Sequence, residues 1–256
     1  MFTIGCDPEL FLKDQRTNKF ISIVGLIGGT KQAPMPIGNG CAIQEDNVAA
    51  EFCIPPATSF EEFNKSIQFA LNDINTRAEK LGLTLANLTA STSFEDDQLK
   101  THAAIEFGCD PDYNAYTGST NPRPRTENKN LRSAGGHVHV GTENNIFDMV
   151  KTMDLLLGMP SVLIDKDEDR RKLYGKAGCF RPKDYGLEYR TLSNFWIWKP
   201  ETIEWVYHQT LTADQTCVEF NENLTKDNWL TIQQCINNGD KDTARKLVNN
   251  YNIPMP

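Results

Sequence analysis

The sequence lacks long apolar runs, and none approaches the ~18 residues that a membrane-spanning helix needs. Its first residues have no basic region followed by an apolar one, so they do not form a secretory signal peptide. The seven cysteines are scattered without a CxxC pair, which indicates neither a disulfide framework nor a cysteine zinc site. These absences predict a cytoplasmic protein that does not interact with membranes.

Basic residues are too few for a protein whose main partner is nucleic acid. The chain has 26 Lys and Arg against 34 Asp and Glu, a net charge of −8, whereas binding to phosphates needs a basic face. Gly28-Gly29 and Gly38-x-Gly40 have neither the GxGxxG nor the GxxxxGK[ST] spacing, which argues against a P-loop.

The 256 residues contain no long linker, so we expect one domain over residues 1–256, with residues 200–256 as a helical C-terminal extension packed on it. Helices are predicted at 59–81, 146–157, from residue 200 past 211, 226–237 and 241–250. Strands are predicted at 2–4, 9–12, 20–24, 48–54, 103–107, 137–140 and 187–192. Because strands and helices do not alternate regularly, the pattern favours an α+β fold with a mainly antiparallel sheet backed by helices.

Histidine is scarce, and two of the four histidines lie in the segment Gly-Gly-His-Val-His-Val-Gly at 135–141. On a strand, His137 and His139 project to the same face, and the flanking glycines allow a ligand or another backbone to approach closely. The alternative is a pair of histidines on a solvated strand face.

Carboxylates follow the same alternation on other predicted strands. Asp7 and Glu9 flank Pro8, Glu51 lies inside an apolar strand, and Glu188 precedes Arg190 by two residues. For any one acid a structural salt bridge is the simpler explanation, but acids and imidazoles on four strands indicate a common site. Oxygen-rich clusters with an imidazole suit Mg²⁺ or Mn²⁺.

Arginines complete the pattern, since Arg181 and Arg190 flank Glu188. The guanidinium fork matches phosphate and carboxylate geometry, so acids next to arginines suit metal-bound phosphates beside a carboxylate. A locally basic loop precedes the histidine pair and either closes over an anion or is solvated; it contains Arg123, Arg125, Lys129 and Arg132.

A rival interpretation is a cupin-like metalloprotein, because His137-x-His139-x-x-x-Glu143 fits the HxH(x)3E motif of cupins. A cupin also needs a later glycine-rich segment with a third histidine. The only later histidine is His208, which lies in a predicted helix without such glycines.

The order of these motifs resembles the glutamine synthetase and glutamate–cysteine ligase superfamily, most closely its phage branch, the carboxylate–amine ligase type 2 proteins. The motifs are Gly5-Cys-Asp-Pro-Glu-Leu-Phe-Leu12, the Glu51 strand, the histidine segment, and Arg181 with Glu188-Tyr-Arg190. The resemblance covers the chain to about residue 194.

This resemblance implies a curved antiparallel sheet that forms a funnel, with helices behind it. It also implies an enzyme that uses ATP and Mg²⁺ or Mn²⁺ to activate a carboxylate as an acyl phosphate, which an amine captures to give an amide or peptide bond. The substrates would be small-molecule or peptide carboxylates and amines, the compartment would be the host cytoplasm if the chain is phage-encoded, and both monomer and oligomer stay open. A relative that binds metal or nucleotide without turnover is the alternative within the same superfamily.

Residue by residue, the resemblance implies a metal site and a phosphate site. The implied metal ligands are Asp7, Glu9, Glu51, His137 and Glu188. The implied catalytic and ATP-binding residues are His139, Arg181 and Arg190, with Arg132 as a further contact to ATP. The loop 113–131 is long enough to act as a lid that shields the acyl phosphate from water.

Overall fold

The computed structural model describes residues 1–105, 112–122, 124 and 126–256. Within these ranges the chain forms many short strands and a smaller number of longer helices. The strands are β1 (Thr3–Cys6), β2 (Glu9–Leu10), β3 (Leu12–Asp14), β4 (Phe20–Ile21), β5 (Met35–Gly38), β6 (Cys41–Asp46), β7 (Ala49–Cys53), β8 (Leu83–Leu85), β9 (Ser91–Ser93), β10 (Tyr113–Asn114), β11 (Leu131–Ser133), β12 (Val138–Gly141), β13 (Cys179–Lys183) and β14 (Gly186–Tyr189). The α-helices are α1 (Phe60–Lys80), α2 (His102–Ile105), α3 (Ile146–Met153), α4 (Met159–Ile164), α5 (Glu168–Leu173), α6 (Pro200–Asn223), α7 (Lys226–Asn238) and α8 (Lys241–Asn250).

The strands pair in four sheets, and the pairs between the named strands are antiparallel. A five-stranded sheet has the order β1-β12-β14-β13-β10, and a four-stranded sheet has the order β2-β7-β6-β5. The smaller sheets are β4-β3-β8 and β11-β9. The antiparallel pairing and the mixture of strands and helices agree with the predicted α+β class, whereas the single funnel-shaped sheet stays a prediction.

Helix α1 forms where its capping residue and apolar spacing predict it. Ser59 accepts a hydrogen bond from the backbone N–H of Glu62 at 3.2 Å, and the Glu62 carboxylate accepts from the N–H of Thr58 at 2.9 Å. The apolar face is buried, and the ring of Phe63 stacks on Trp196 with centroids 5.9 Å apart. The N-cap therefore fixes where the helix starts, and the buried stripe fixes which face it turns to the core.

The predicted helix 146–157 is present, but it continues further. Asn145 caps α3, and the chain then passes through one π-helical turn, Asp154–Gly158, into α4 without leaving the helix. A π turn contains one residue more per turn than an α-helix, and such turns are frequent at functional sites.

The C-terminal residues form the three predicted helices. Helix α6 packs on α3, while α7 and α8 pack on α4. Thr225 and Asn228 form a capping box at the start of α7, and Gly239 ends it in the left-handed conformation. None of the described helices is long and apolar enough to cross a membrane.

One predicted strand is a helix in the structure, and one helix was not predicted. Residues 103–105 of the predicted strand 103–107 lie in α2, because Thr101 caps that turn by accepting from the N–H of Ala104 at 3.1 Å. Residues 106 and 107 lie outside the described ranges. Helix α5 was not predicted, although Asp167 caps it by accepting from the N–H of Arg170. Short helices such as these have too few residues for periodicity to reveal them.

Candidate active site

The five-stranded sheet places polar side chains in one row across three neighbouring strands. His139 on β12 is the register partner of Glu188 on β14, which is in turn the partner of Arg181 on β13. Register partners project to the same face, so these three side chains share one side of the sheet. The adjacent row, which includes Tyr189, faces the buried core.

The first group of possible metal ligands comprises Asp7, His137 and Glu188, with one ligand atom from each within 4.8 Å of the others. Nδ1 of His137 lies 3.2 Å from Asp7 Oδ1 and 3.6 Å from Glu188 Oε1. Asp7 follows β1 directly and His137 precedes β12, and these strands are paired. The end of that strand pair therefore brings the two residues together.

Cations surround Glu188 on its side of the sheet. Arg190 Nη1 contacts Oε1, Lys183 Nζ lies 2.8 Å from Oε2, and Arg181 Nη1 lies 3.6 Å from Oε1. Burial alone would raise the pKa of Glu188, but the Arg190 guanidinium and its neighbours outweigh burial and lower the pKa to about 2. Glu188 is therefore ionised at neutral pH.

The two histidines differ in their surroundings. His139 Nε2 lies 3.1 Å from Asp7 Oδ2, and Nδ1 lies 2.7 Å from the Tyr185 hydroxyl. Burial lowers the pKa of His139, but the Asp7 and Glu188 carboxylates together raise it and the net shift is upward. Burial and the nearby Arg190 lower the pKa of His137, which favours its neutral form at pH 7.

A second group of acids lies on the four-stranded sheet and comprises Glu9, Asp46 and Glu51, again with ligand atoms within 4.8 Å. Glu9 on β2 is the register partner of Glu51 on β7. The N–H of Gly135 donates to Glu9 Oε2 at 2.6 Å, and Lys31 Nζ lies 2.9 Å from Asp46 Oδ1. Burial and the neighbouring Asp7 and Glu9 raise the pKa of Glu51, because burial and nearby negative charge both disfavour the ionised form.

Both groups have the chemistry of a divalent-cation site. Oxygen ligands with one imidazole suit Mg²⁺ or Mn²⁺. Among the described residues, Asp7 Oδ1 is a buried atom without a hydrogen-bond partner of good geometry. Buried polar atoms without such partners beside a carboxylate cluster are the atoms that a bound cation would satisfy.

A cleft of about 550 Å³ adjoins both groups, in a volume that includes space open to solvent. It is bordered by acids of the second group and by four cationic side chains: Lys31, Arg132, Arg170 and Arg190. Three arginines beside two acid clusters give the cleft the charge pattern that binds a phosphorylated or carboxylated ligand together with a cation.

The arginines of this cleft are held by the protein itself. The Arg132 guanidinium donates to three backbone carbonyls, including that of Ala104 at 2.7 Å. Arg170 donates to the Arg190 carbonyl at 3.1 Å, and its Nη2 lies 3.4 Å from His137 Nε2. Arg190 is 3% exposed, with Nη1 3.3 Å from His137 Nδ1 and Nε 3.7 Å from Asp112 Oδ2. These contacts preorganise the charged groups before any ligand arrives.

Residues 128–253, about half of the chain, match the model of the family described as phage phiEco32-like COOH.NH2 ligase-type 2. The chain belongs to this family. The family name indicates an enzyme that joins a carboxylate to an amine. A comparison with curated proteins gave no match.

The family match covers His137, His139, Arg181, Glu188 and Arg190 and also the helices α6 to α8. It extends well beyond residue 194, where the motifs of the sequence end. The acids of β1, β2 and β7 lie outside the matched range, so their part in the site rests on the geometry described above.

The structure divides the five predicted metal ligands of this ligase-family chain between the two groups. Asp7, His137 and Glu188 lie together, whereas Glu9 and Glu51 lie in the second group with Asp46, which sequence reasoning did not select. Asp46 and Gln44 have the same i, i+2 relation on β6 as the acids of the other strands, and Gln44 is the register partner of Glu51. That alternation was the feature of the sequence that could have identified Asp46 as a site residue.

Further side chains in the site were also missed from sequence. Lys183 and Tyr185 follow Arg181 in the same hairpin, and Arg170 lies on the unpredicted helix α5. In the basic loop, Arg123 and Arg125 lie outside the described residues, and Arg132 borders the cleft. The predicted lid of residues 113–131 includes Arg123 and Arg125. Its closure over the site stays a prediction.

The cupin interpretation was wrong for Glu143. Its side chain is 90% exposed and pairs with the N-terminal ammonium group of Met1 at 2.8 Å. His208 lies on α6 beside Glu204, at 3.8 Å, and both are exposed. Neither residue joins His137 and His139, so the three ligands that the HxH(x)3E motif would supply do not converge.

Proposed function

We propose that the chain is an ATP-dependent, ADP-forming carboxylate–amine ligase that makes an amide or peptide bond through an acyl phosphate. The observation that carries this proposal is the position of two acid groups next to a cleft bordered by Arg132, Arg170 and Arg190. Phosphoryl transfer depends on positioning and charge neutralisation, and this arrangement supplies both in a chain that belongs to a ligase family.

In the first step, a substrate carboxylate oxygen forms a bond to the γ-phosphorus of ATP, and the bond to the β,γ-bridging oxygen breaks with release of ADP. In the second step, an amine attacks the acyl carbon, inorganic phosphate leaves, and the amine gives up a proton. Arg181 and Arg190 bind the transferring phosphoryl group, and His139 contacts phosphate or substrate from the adjacent strand. We assign no base to the amine.

The two acid groups would hold Mg²⁺ or Mn²⁺, with Asp7, His137 and Glu188 around one position and Glu9, Asp46 and Glu51 around the other. When bound, the cation supplies charge neutralisation for the phosphate oxygens. Arg190 lies between the first group and the cleft, which suits a donor aimed at charge that develops during transfer.

The substrates that we propose are small-molecule or peptide carboxylates and amines, in the cytoplasm of the host if the chain is phage-encoded. The net charge of −8 argues against nucleic acid as a partner. A non-catalytic relative that binds metal and nucleotide is the second candidate, because the same acids and arginines would serve binding alone.

Thermal unfolding with ATP, with Mg²⁺ and with both tests the nucleotide site. We expect the two together to raise the melting temperature by more than the sum of either alone, because ligands that bind only the folded state stabilise it. Glu188→Gln should remove most of this synergy, and the matched control Glu143→Gln, at an exposed acid, should keep it. Equal shifts with and without Mg²⁺ would contradict the metal assignment.

Turnover is tested by incubating the protein with ATP, Mg²⁺ and a library of amino acids and peptides. We expect ADP release, with a product whose mass equals that of acid plus amine minus one water. Synergistic binding without ADP release on a broad library would favour the non-catalytic relative.

A further inference from the structure

Asp154 is a fully buried carboxylate at the start of the π-helical turn, on the side of the five-stranded sheet opposite the candidate active site. Its exposed fraction is 0%, and it belongs to neither group of possible metal ligands. Burying a carboxylate costs free energy unless hydrogen bonds compensate it. Its partners therefore indicate what it does.

The two carboxylate oxygens receive hydrogen bonds from residues on or next to strands β13 and β14. The Tyr189 hydroxyl donates to Oδ1 and the Gly178 N–H donates to Oδ2, both at 2.6 Å. The Thr191 hydroxyl, 3.3 Å from Oδ1, divides its single proton between Asp154 and the carbonyl oxygen of Lys176, at 3.0 Å. When Asp154 is ionised, the bonds from Tyr189 and Gly178 are charge-assisted, and bonds of that kind are among the strong ones in proteins.

Each of these partners is next to Arg190 in the chain, or next to the residue that accepts its backbone hydrogen bond. Tyr189 and Thr191 are its neighbours in the chain. Gly178 precedes Cys179, whose carbonyl oxygen accepts the backbone N–H of Arg190 at 2.9 Å. Asp154 thus holds the residues before and after Arg190 and the strand segment to which the Arg190 backbone is bonded.

The π turn is built around this contact. A Cβ atom at Gly158 would lie 2.5 Å from the Tyr189 hydroxyl and 3.1 Å from Asp154 Oδ1. The last residue of the π turn must therefore be small for the Tyr189 hydroxyl to reach Asp154. The turn and the hydrogen bonds depend on each other.

We propose that Asp154 is a positioning residue that acts through Tyr189, Gly178 and Thr191 to hold the Arg190 guanidinium in its place in the active site. Its effect on turnover rests on the proposed ligase function, whereas its effect on the position of Arg190 does not. Asp154 does not reach the reacting groups, because the sheet lies between them.

The first experiment compares Asp154→Asn with Asp148→Asn. Asp148 lies on the same helix, one-third exposed, where it pairs with Lys151. At a temperature well below unfolding, we expect Asp154→Asn to lower kcat by about ten- to a hundred-fold, with the KM for ATP changed less than about threefold, because a misplaced group costs rate more than binding. Asp148→Asn should change neither. An unchanged kcat in Asp154→Asn would overturn the proposal.

The second experiment repeats the Asp154 substitution in an Arg190→Lys background. Since Asp154 acts through Arg190, the further loss of kcat there should be less than about twofold. An equal fold-loss in both backgrounds would mean that Asp154 affects the enzyme by another route. If Asp154→Asn does not fold, Tyr189→Phe, which removes one donor and keeps the ring, replaces it in the same comparison.

The third experiment does not depend on activity. The nitrogen-15 and proton resonances of the Arg190 Nε–H group, assigned by their loss in Arg190→Lys, report the surroundings of its guanidinium. We expect them to shift or broaden in Asp154→Asn and in Tyr189→Phe and to stay unchanged in Asp148→Asn. Resonances unmoved by both network variants would overturn the proposal, while an inactive wild type with shifted resonances would refute only the ligase function.

Discussion

Replacing Arg190 by lysine separates the catalytic part of this residue from its structural part. The guanidinium contacts Glu188, lies 3.3 Å from His137 Nδ1 and 3.7 Å from Asp112 Oδ2. Lysine keeps the positive charge but concentrates it at one nitrogen, so it cannot make the forked contact to two partners. Any effect of Arg190→Lys then reports geometry rather than charge.

The expected loss of stability is moderate. Removing the only cation beside a buried carboxylate is strongly destabilising, but Glu188 keeps Lys183 at 2.8 Å and Arg181 at 3.6 Å. The ammonium of the new lysine also remains nearby. We therefore expect a cost of about 1–3 kcal/mol in the free energy of unfolding, the range for a lost buried hydrogen bond.

The expected loss of rate is larger. Removing one preorganised donor from developing charge typically costs about 3–4 kcal/mol of barrier, a factor of roughly a hundred to a thousand in kcat. ATP binding should weaken far less, because the neighbouring arginines and the acid groups stay in place. The kcat should thus fall much more than the affinity for ATP.

ADP release, ATP affinity and melting temperature are measured on one preparation of Arg190→Lys. Arg77→Lys is the matched control, since Arg77 forms an i, i+4 pair with Asp73 on α1 at 2.6 Å, and it should leave all three quantities nearly unchanged. Full activity combined with a lower melting temperature would show that Arg190 is a structural ion pair and would refute the catalytic assignment.

Two further predictions concern the histidine pair and pH. The double variant His137→Ala with His139→Ala should lose most ADP release but keep substantial Mg²⁺-dependent ATP binding by calorimetry, because the second acid group contains no histidine; loss of all metal-dependent binding would contradict this division. Burial raises the pKa of Asp154 to about 7, against hydrogen bonds from Tyr189, Tyr116, Gly178 and Thr191 that lower it. The folded protein therefore keeps the Asp154 proton at pH values where the unfolded chain, with a pKa near 4, has released it. The contribution of this proton to the free energy of unfolding is fully present below about pH 4. It is lost as the pH rises towards 7, by up to about 4 kcal/mol. Denaturant unfolding between pH 4 and pH 8 should show a loss of stability in the wild type that is smaller in Asp154→Asn, and parallel pH profiles would exclude Asp154 as the titrating group.

Local sequence information was sufficient for the long helices. The cap at Ser59 and the apolar spacing behind it predict α1, and the sequence around Gly239 predicts the break between α7 and α8. Strands of two to four residues, such as β9 and β11, carry too little alternation to be recognised. Their pairing is decided by contacts between residues far apart in the chain.

In the candidate site, too, local patterns in the sequence were informative, whereas contacts between distant residues were not predictable. The i, i+2 alternation predicted that His137 and His139 share a face and that Glu188 and Arg190 do so too, and the family match to residues 128–253 covers all four. Division of the acids into two groups depends on the register between β2, β7 and β6, which no local pattern encodes. Arg170 reaches the site from a helix of six residues, Glu168–Leu173, too short to predict.

Asp7, directly after β1, and Glu9, on β2, belong to different acid groups, yet only Pro8 separates them in the chain. Two residues of extended backbone span about 7 Å, and the ring of Pro8 fixes one of the intervening torsion angles. Covalent bonds therefore limit the spacing between the two groups at this point, whereas strand pairing, hydrogen bonds and packing hold the rest of the site. Inserting one residue between Asp7 and Glu9 would shift Glu9 by one position relative to Asp7 and turn its carboxylate towards the opposite face of its sheet.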